Sequence, residues 1–442
     1  MRSTIFNFFR PAPHLEEKEN NEKLYHKYRW SVFISATLGY SLYYVCRLSL
    51  NVVKKPIVES GLFSESELGL IGSALFFSYA AGKLTNGFLA DRSNIRKFLS
   101  IGLLLSALIN LVLGFVTSFV FFAILWGMNG WFQSMGPSSC VVGLSRWFNN
   151  KDRGSFYGFW SASHNIGEAI TFVVVALVAS SFGWRWGFRG AGIAGLAGVV
   201  LVWTCFYDSP ESKGVRIPSP DVIPQQEKEA KVSYSAAQKK VLTNPYIWIL
   251  ALSSSCMYIS RYAVNSWGIF FLESYKGYSN IQASSIISVS SICGILGTVL
   301  SGVVSDRFFR SRRNMPALIF GILNTVGLCI FLYVPAGHWG WDIVAMVIFG
   351  ISIGVLICYL GGLMAVDIAP QKASGAALGV VGIASYLGAG IQDFVSGMLI
   401  EGHKTMTGDS CTYDFSAVSF FWVAASVISF LLATLVWKAR SN

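Results

Sequence analysis

The sequence predicts an all-α membrane protein of about twelve spanning helices arranged as two related six-helix bundles. Three observations carry that expectation. Apolar runs of about 20 residues, the length that crosses a hydrocarbon layer of about 30 Å, recur along nearly the whole chain. Of the 442 residues, 53% are apolar and only 13% charged, with mean hydropathy +0.52, roughly half the charged share of a soluble domain. Finally, two polar motifs of the first half return in the second at nearly the same offset.

The elements follow in order. Residues 1–29 are polar and lack the apolar core of a signal peptide, so the first span is expected to stay in the protein. Spans at 30–53, 68–90, 98–117, 120–142, 155–180 and 184–206 make 30–207 the first bundle. The connection 208–244 holds Pro210, Pro218, Pro220 and Pro224 among many charges and reads as an interdomain linker. Spans at 246–272, 281–304, 315–335, 341–366, 372–400 and 415–437 make 245–437 the second bundle, and 438–442 is a short tail.

Most of the 34 Lys and Arg fall on one side if the N-terminus is inside, so both termini and the linker are expected to be cytoplasmic. The net charge of +11 then reflects topology rather than a nucleic-acid partner. Seven cysteines lie in or beside apolar runs without metal-type spacing, and Cys411 sits in a polar loop with no loop cysteine to pair with. The chain has no Asn-x-Ser/Thr acceptor and no retrieval signal in Lys438 to Asn442, which points to a bacterial inner membrane.

The first repeated motif closes spans 2 and 8: Gly87 with Asp91 and Arg92, then Gly302 with Asp306 and Arg307, each followed by further basic residues. Glycine lets helices approach, and an acid and a base at a helix end can pair with neighbouring termini. Asp91, Arg92, Asp306 and Arg307 are therefore expected to form a cytoplasmic gating latch. The second motif is Tyr44, Arg47 and Asn51 in span 1, matched by Tyr258, Arg261 and Asn265 in span 7. Each set lies on one helical face. Parallel six-helix repeats place a site at their interface near the midplane.

Few ionisable residues fall within the expected spans: Arg47, Lys83, His164, Glu168, Arg261, Asp367 and Asp393. An arginine near the bilayer centre costs about 2.5–3.5 kcal/mol on insertion scales, so two symmetry-related ones need a reason. With Lys83 and His164 they make a cationic pocket in which no acid evidently neutralises the arginines, suited to a small dianion such as a phosphate ester. The structural alternative is that each arginine pairs with an acid such as Asp393, and Lys83 could instead snorkel to the cytoplasmic surface. Gln133, Trp160, Asn165, Trp267 and Tyr386 are further candidates to line the cavity, or else act as helix-packing residues. His14, His26, His338 and His403 are expected at the surface. No nucleophile and base pair, metal cluster or phosphate-cradling glycine loop is recognised, so neither an enzyme, a metal nor a cofactor is expected.

Further motifs carry a family resemblance: Gly39 to Tyr44 with Arg47; Asn129 to Gly136; Arg153 to Trp160 running into His164 and Asn165; Asn244 to Trp248; Tyr258 to Gly268; and Gly375, Gly379 and Tyr386 to Gly388. The chain resembles, over nearly its whole length, the organophosphate:inorganic phosphate antiporters of the major facilitator superfamily, above all bacterial hexose-phosphate transporters and their sensor paralogues. The resemblance implies the major facilitator fold, and the chain is expected to be largely monomeric in the lipid bilayer. It also implies import of a hexose phosphate, glucose 6-phosphate, in exchange for inorganic phosphate by alternating access. The alternative it carries is a membrane sensor that binds external hexose phosphate and signals to a kinase partner. It further implies that Arg47 and Arg261 grip the phosphoryl group and that His164 couples protonation to binding. Two departures stand out: Glu168 where the family usually has a second glycine after His-Asn-x-Gly, and Asp393 where hexose-phosphate exchangers have a lysine. Glu168 is expected to tune His164 one turn away, and Asp393 to accept sugar hydroxyls or pair with an arginine.

Overall fold

A computed structural model describes residues 8–16, 21–215, 234–303, 307–309, 313–369, 373–407, 410–437 and 439. The first part of the chain forms α1 (Asn21–Glu59), α2 (Glu65–Asp91), α3 (Ile95–Leu113), α4 (Phe119–Gln133), α5 (Met135–Trp147), α6 (Asn150–Ser161), α7 (Ser163–Phe182) and α8 (Trp184–Cys205). After α9 (Tyr234–Thr243) come α10 (Pro245–Ser274), α11 (Asn280–Val303), α12 (Asn314–Tyr333), α13 (Trp339–Cys358), a π-helical turn (Tyr359–Leu363) and α14 (Met364–Ile368). The chain ends with α15 (Ser374–Gly402), a hairpin of β1 (Lys404–Thr407) and β2 (Ser410–Tyr413), and α16 (Ser416–Leu435). For brevity α1–α8 are called the first half and α10–α16 the second. The two faces of the bundle are the termini side and the hairpin side.

Among the described residues, ten helices are long and apolar enough to cross a membrane. Two expected spans differ, for physical reasons. The first is rich in buried polar residues and runs well beyond 30–53 at both ends. The fourth is cut at Ser134, because Pro137 lacks an N–H and its ring crowds the carbonyl four residues earlier, that of Gln133, where α4 ends. Pro56 has the same effect inside α1 but without a break. It frees the carbonyl of Val52, which accepts a hydrogen bond from Asn280 Nδ2 of the second half at 2.8 Å.

Within the first half, α1 packs on α7 and α8, α2 on α4 and α3 on α8; within the second, α10 packs on α15 and α16, and α11 on α13. The halves meet through α2 on α15, α7 on α11 and α1 on α10. Small residues set the closeness of the first pair. A Cβ on Gly69 would lie 2.6 Å from the Asp393 carbonyl, and one on Gly72 would run into the Asp393 carboxylate. Gly87, expected to permit close approach, has nothing among the described residues within 4 Å of such a Cβ. The glycines that set this contact are thus about four and five turns earlier in the same helix.

Only part of the expected latch falls among the described residues. Asp91 and Arg92 have exposed side chains. The turn they occupy is held by Arg146, which donates to the Asp91 carbonyl at 3.1 Å and pairs with the buried Asp208 at 2.7 Å. Asp208 also accepts from the backbone N–H of Ile95 at 2.9 Å and of Ala12 at 2.8 Å, stitching the start of the linker and the N-terminal segment to the start of α3. In the second half Arg307 is exposed, Asp306 lies outside the described residues, and Asp367 pairs with Arg313 at 2.5 Å.

Candidate functional site

On α1, Tyr40, Tyr44, Arg47, Asn51 and Lys54 recur every three or four residues and share one face, from which Arg47, Asn51 and Lys54 reach the second half. Its counterpart on α10 carries Tyr258, Arg261, Tyr262, Asn265 and Ser266. The two faces meet: Asn51 Nδ2 donates to the Asn265 carbonyl at 3.1 Å, and Arg47 Nη2 to the Tyr262 hydroxyl at 3.4 Å.

Arg47, 2% exposed, is held by aromatic faces rather than by an acid. Its guanidinium carbon lies 4.2 Å from the ring centre of Tyr79, 5.3 Å from Tyr386, 5.4 Å from Tyr44 and 5.8 Å from Phe76. Such contacts stabilise a cation without neutralising it. Among the described residues its Nε has no hydrogen-bond partner, and neither do His164 Nε2, Asn165 Nδ2 or Trp160 Nε1 on α6 and α7. Tyr44 joins them, its ring 6.0 Å from that of His164. Lys83, exposed on α2, lies 5.4 Å from the Tyr386 ring and against Gly382 of α15. Two cations, Arg47 and Lys83, therefore flank one tyrosine, Tyr386.

Arg261 is different. Its Nη2 donates to Glu168 Oε1 at 2.5 Å, and Glu168 Oε2 accepts from the Ser291 hydroxyl at 3.2 Å. Toward the hairpin side a second buried pair crosses the halves. Lys54 Nζ lies 2.9 Å from Asp393 Oδ1, 2.8 Å from the Ser266 hydroxyl and 3.8 Å from the Trp267 ring centre. Beyond it, Glu65 accepts from Lys404 at 2.9 Å and from the Tyr413 hydroxyl at 2.6 Å, while Glu401 accepts from the Ser66 N–H at 2.8 Å. These contacts seal the hairpin side, whereas Lys83 at the same interface remains exposed.

Residues 33–392 match the sequence model of the Major Facilitator Superfamily. The chain belongs to that superfamily. Among its relatives in the superfamily, the membrane sensor protein UhpC of Salmonella typhimurium is 32% identical over 402 residues, covering 88% of this chain and 89% of that protein. A probable hexose phosphate transport protein of Chlamydia pneumoniae is 31% identical over 418 residues, covering 89% and 90%. A solved bacterial homologue of the lysosomal transporter Spinster, inward-facing and occupied, shares the superfamily fold with TM-score 0.72 at 16% identity over 94% of this chain. This is a multi-pass membrane protein of the major facilitator fold.

Against that superfamily frame, the expected residues divide. Tyr44, Arg47, Lys83, His164, Tyr258, Arg261 and Tyr386 are linked by ring contacts, while Trp160 lies against Tyr40 and Asn165 against Gly294 of α11. Gln133 does not join them: its amide donates to the Ser106 hydroxyl at 2.6 Å, inside a network with Asn129 and Asn110 that knits the first half. Trp267 and Asp393 are corrected likewise. Both belong to the sealed layer with Lys54, so Asp393 faces an ammonium rather than an open cavity or an arginine. Glu168 pairs with Arg261 rather than His164, which overturns the expectation that no acid neutralises either arginine. Lys54, Tyr79, Tyr262 and Ser291 were missed. Lys54 was within reach, because it continues the spacing of Arg47 and Asn51, and Tyr79 stands one turn before Lys83.

Proposed function

We propose that the chain is a secondary transporter importing a hexose phosphate, glucose 6-phosphate, in exchange for inorganic phosphate. Arg47 carries this reading. It is a fully charged guanidinium deep between the halves, caged by tyrosines and without a carboxylate neighbour among the described residues. Such a group leaves its planar fork available to a phosphoryl oxygen pair. Arg261 supplies the second fork, Lys83 and His164 add positive charge and hydrogen bonds, and Asn165, Trp160 and the tyrosines offer donors and rings to the sugar. The relatives named for hexose phosphate transport support the substrate class.

Transport proceeds by alternating access, with the bundles 30–207 and 245–437 rocking about this site on the linker 208–244. With termini and linker cytoplasmic in a bacterial inner membrane, the sealed hairpin side is the outer gate and the described state faces inward. Asp91, Arg92 and Arg307 then lie at the inner gate, and the monomer is the working unit. No covalent chemistry is required.

The likeness to a membrane sensor protein favours one second reading, in which the same site binds external phosphate ester and informs a kinase partner. Exchange of labelled phosphate in proteoliposomes tests the proposal: counterflow driven by glucose 6-phosphate supports a transporter. Saturable binding without counterflow sinks it in favour of the sensor.

A further inference from the structure

The two buried cross-half pairs differ in what they touch. Lys54–Asp393 is confined to the sealed layer, whereas Arg261–Glu168 uses one of the two arginines assigned to the anion. Glu168 stands on α7, Arg261 on α10 and Ser291 on α11, so a single carboxylate ties the first half to two helices of the second. Close packing holds it there, since a Cβ on Gly294 of α11 would meet Asn165 of α7 at 3.0 Å. Both side chains of the pair are nearly inaccessible, at 4% for Arg261 and 3% for Glu168.

We propose that Glu168 is a tethered counter-ion that occupies Arg261 when the site holds no anion, competes with the phosphoryl group for it, and lets the unloaded carrier close. The inference rests on the anion-site reading above. A carboxylate and a phosphoryl group present the same acceptor geometry to a guanidinium, so a bound phosphate shares or displaces Glu168. When the phosphate leaves, Glu168 returns to Arg261. Closing the halves over an uncompensated buried charge is strongly unfavourable, and it is this penalty that would otherwise hold an empty exchanger open. Glu168 removes the part of the penalty that belongs to Arg261. Net movement of phosphate then accompanies exchange, and Glu168 is a positioning residue that sets their ratio.

The test uses the full chain in proteoliposomes with labelled inorganic phosphate. Two rates are measured: exchange into phosphate-loaded vesicles and net uptake into vesicles without internal phosphate. In the parent, net uptake proceeds at a readable share of exchange. In Glu168→Gln, which keeps the shape but not the charge, net uptake falls about tenfold relative to exchange, and half-saturating phosphate falls about tenfold, as expected for one lost competing ion pair. If the glutamine variant does not assemble, Glu168→Gly is read the same way. An unchanged ratio with exchange intact overturns the proposal alone. A parent that neither binds nor exchanges phosphate overturns the anion site, and this inference with it.

Discussion

Lys54 and Asp393 form an ion pair of 2.9 Å between the halves, with side chains 0% and 1% exposed. Removing one partner of such a pair costs about 3–5 kcal/mol, because the other charge is left buried and alone, whereas replacing both by apolar groups is often neutral. Lys54→Met and Asp393→Leu should each lower the melting temperature in detergent and depress transport. The double variant should recover most of the melting temperature. Additive losses in the double variant would show that the two charges are not partners.

Arg47→Lys and Arg261→Lys keep the charge but lose the planar fork. With hydrogen bonds to charged groups contributing about 1.5–3 kcal/mol each, phosphate affinity should fall at least about tenfold in both variants, with near-normal expression. The Arg47 variant should be the more defective, since no acid among the described residues shares that guanidinium. Inhibition constants for inorganic phosphate measure both, and near-parental values would remove the assignment.

Gly72→Ala places a methyl group on the Asp393 carboxylate, while Gly87→Ala meets nothing among the described residues. Overpacking of this kind costs about 1–3 kcal/mol. The first variant should lose sealing and transport together, and the second should behave as the parent in both uptake and thermal stability, although Gly87 belongs to the repeated motif.

Asn280→Ala leaves the Val52 carbonyl, already freed by Pro56, without its 2.8 Å donor. A buried acceptor left unmade costs about 1–3 kcal/mol, so the sealed state should be populated at least about fivefold less. Hydrogen–deuterium exchange across 52–60 reads this as faster exchange; unchanged protection would show that the bond does not hold the gate.

Some of this was legible in the sequence. The paired arginines announced themselves because a costly charge recurred inside a repeated Tyr-x-x-Arg-x-x-x-Asn frame, and a helix turns that spacing into a face whatever its neighbours are. Their partners were not legible in the same way. Placing the end of span 1 at residue 53 put Lys54 in solvent, although α1 continues to Glu59 and carries it inward. Glu168 lies one turn from His164 in sequence, and only tertiary packing brings the opposite half's Arg261 closer. Asp393 seemed to invert a lysine's role because its balancing charge sits on a distant helix. Local spacing fixes faces, while the pairing of faces needs the third dimension.

The central claim is that the centre recognises the phosphoryl group. It is tested most directly by competition in phosphate-loaded proteoliposomes, comparing glucose 6-phosphate, glycerol 3-phosphate, inorganic phosphate and unphosphorylated glucose as inhibitors of labelled phosphate uptake. The account predicts that the phosphorylated compounds inhibit, glucose 6-phosphate most strongly, that glucose is inert, and that Arg47→Lys weakens all the effective inhibitors. Inhibition by glucose equal to that by its phosphate, or inhibition profiles indifferent to Arg47, would contradict it.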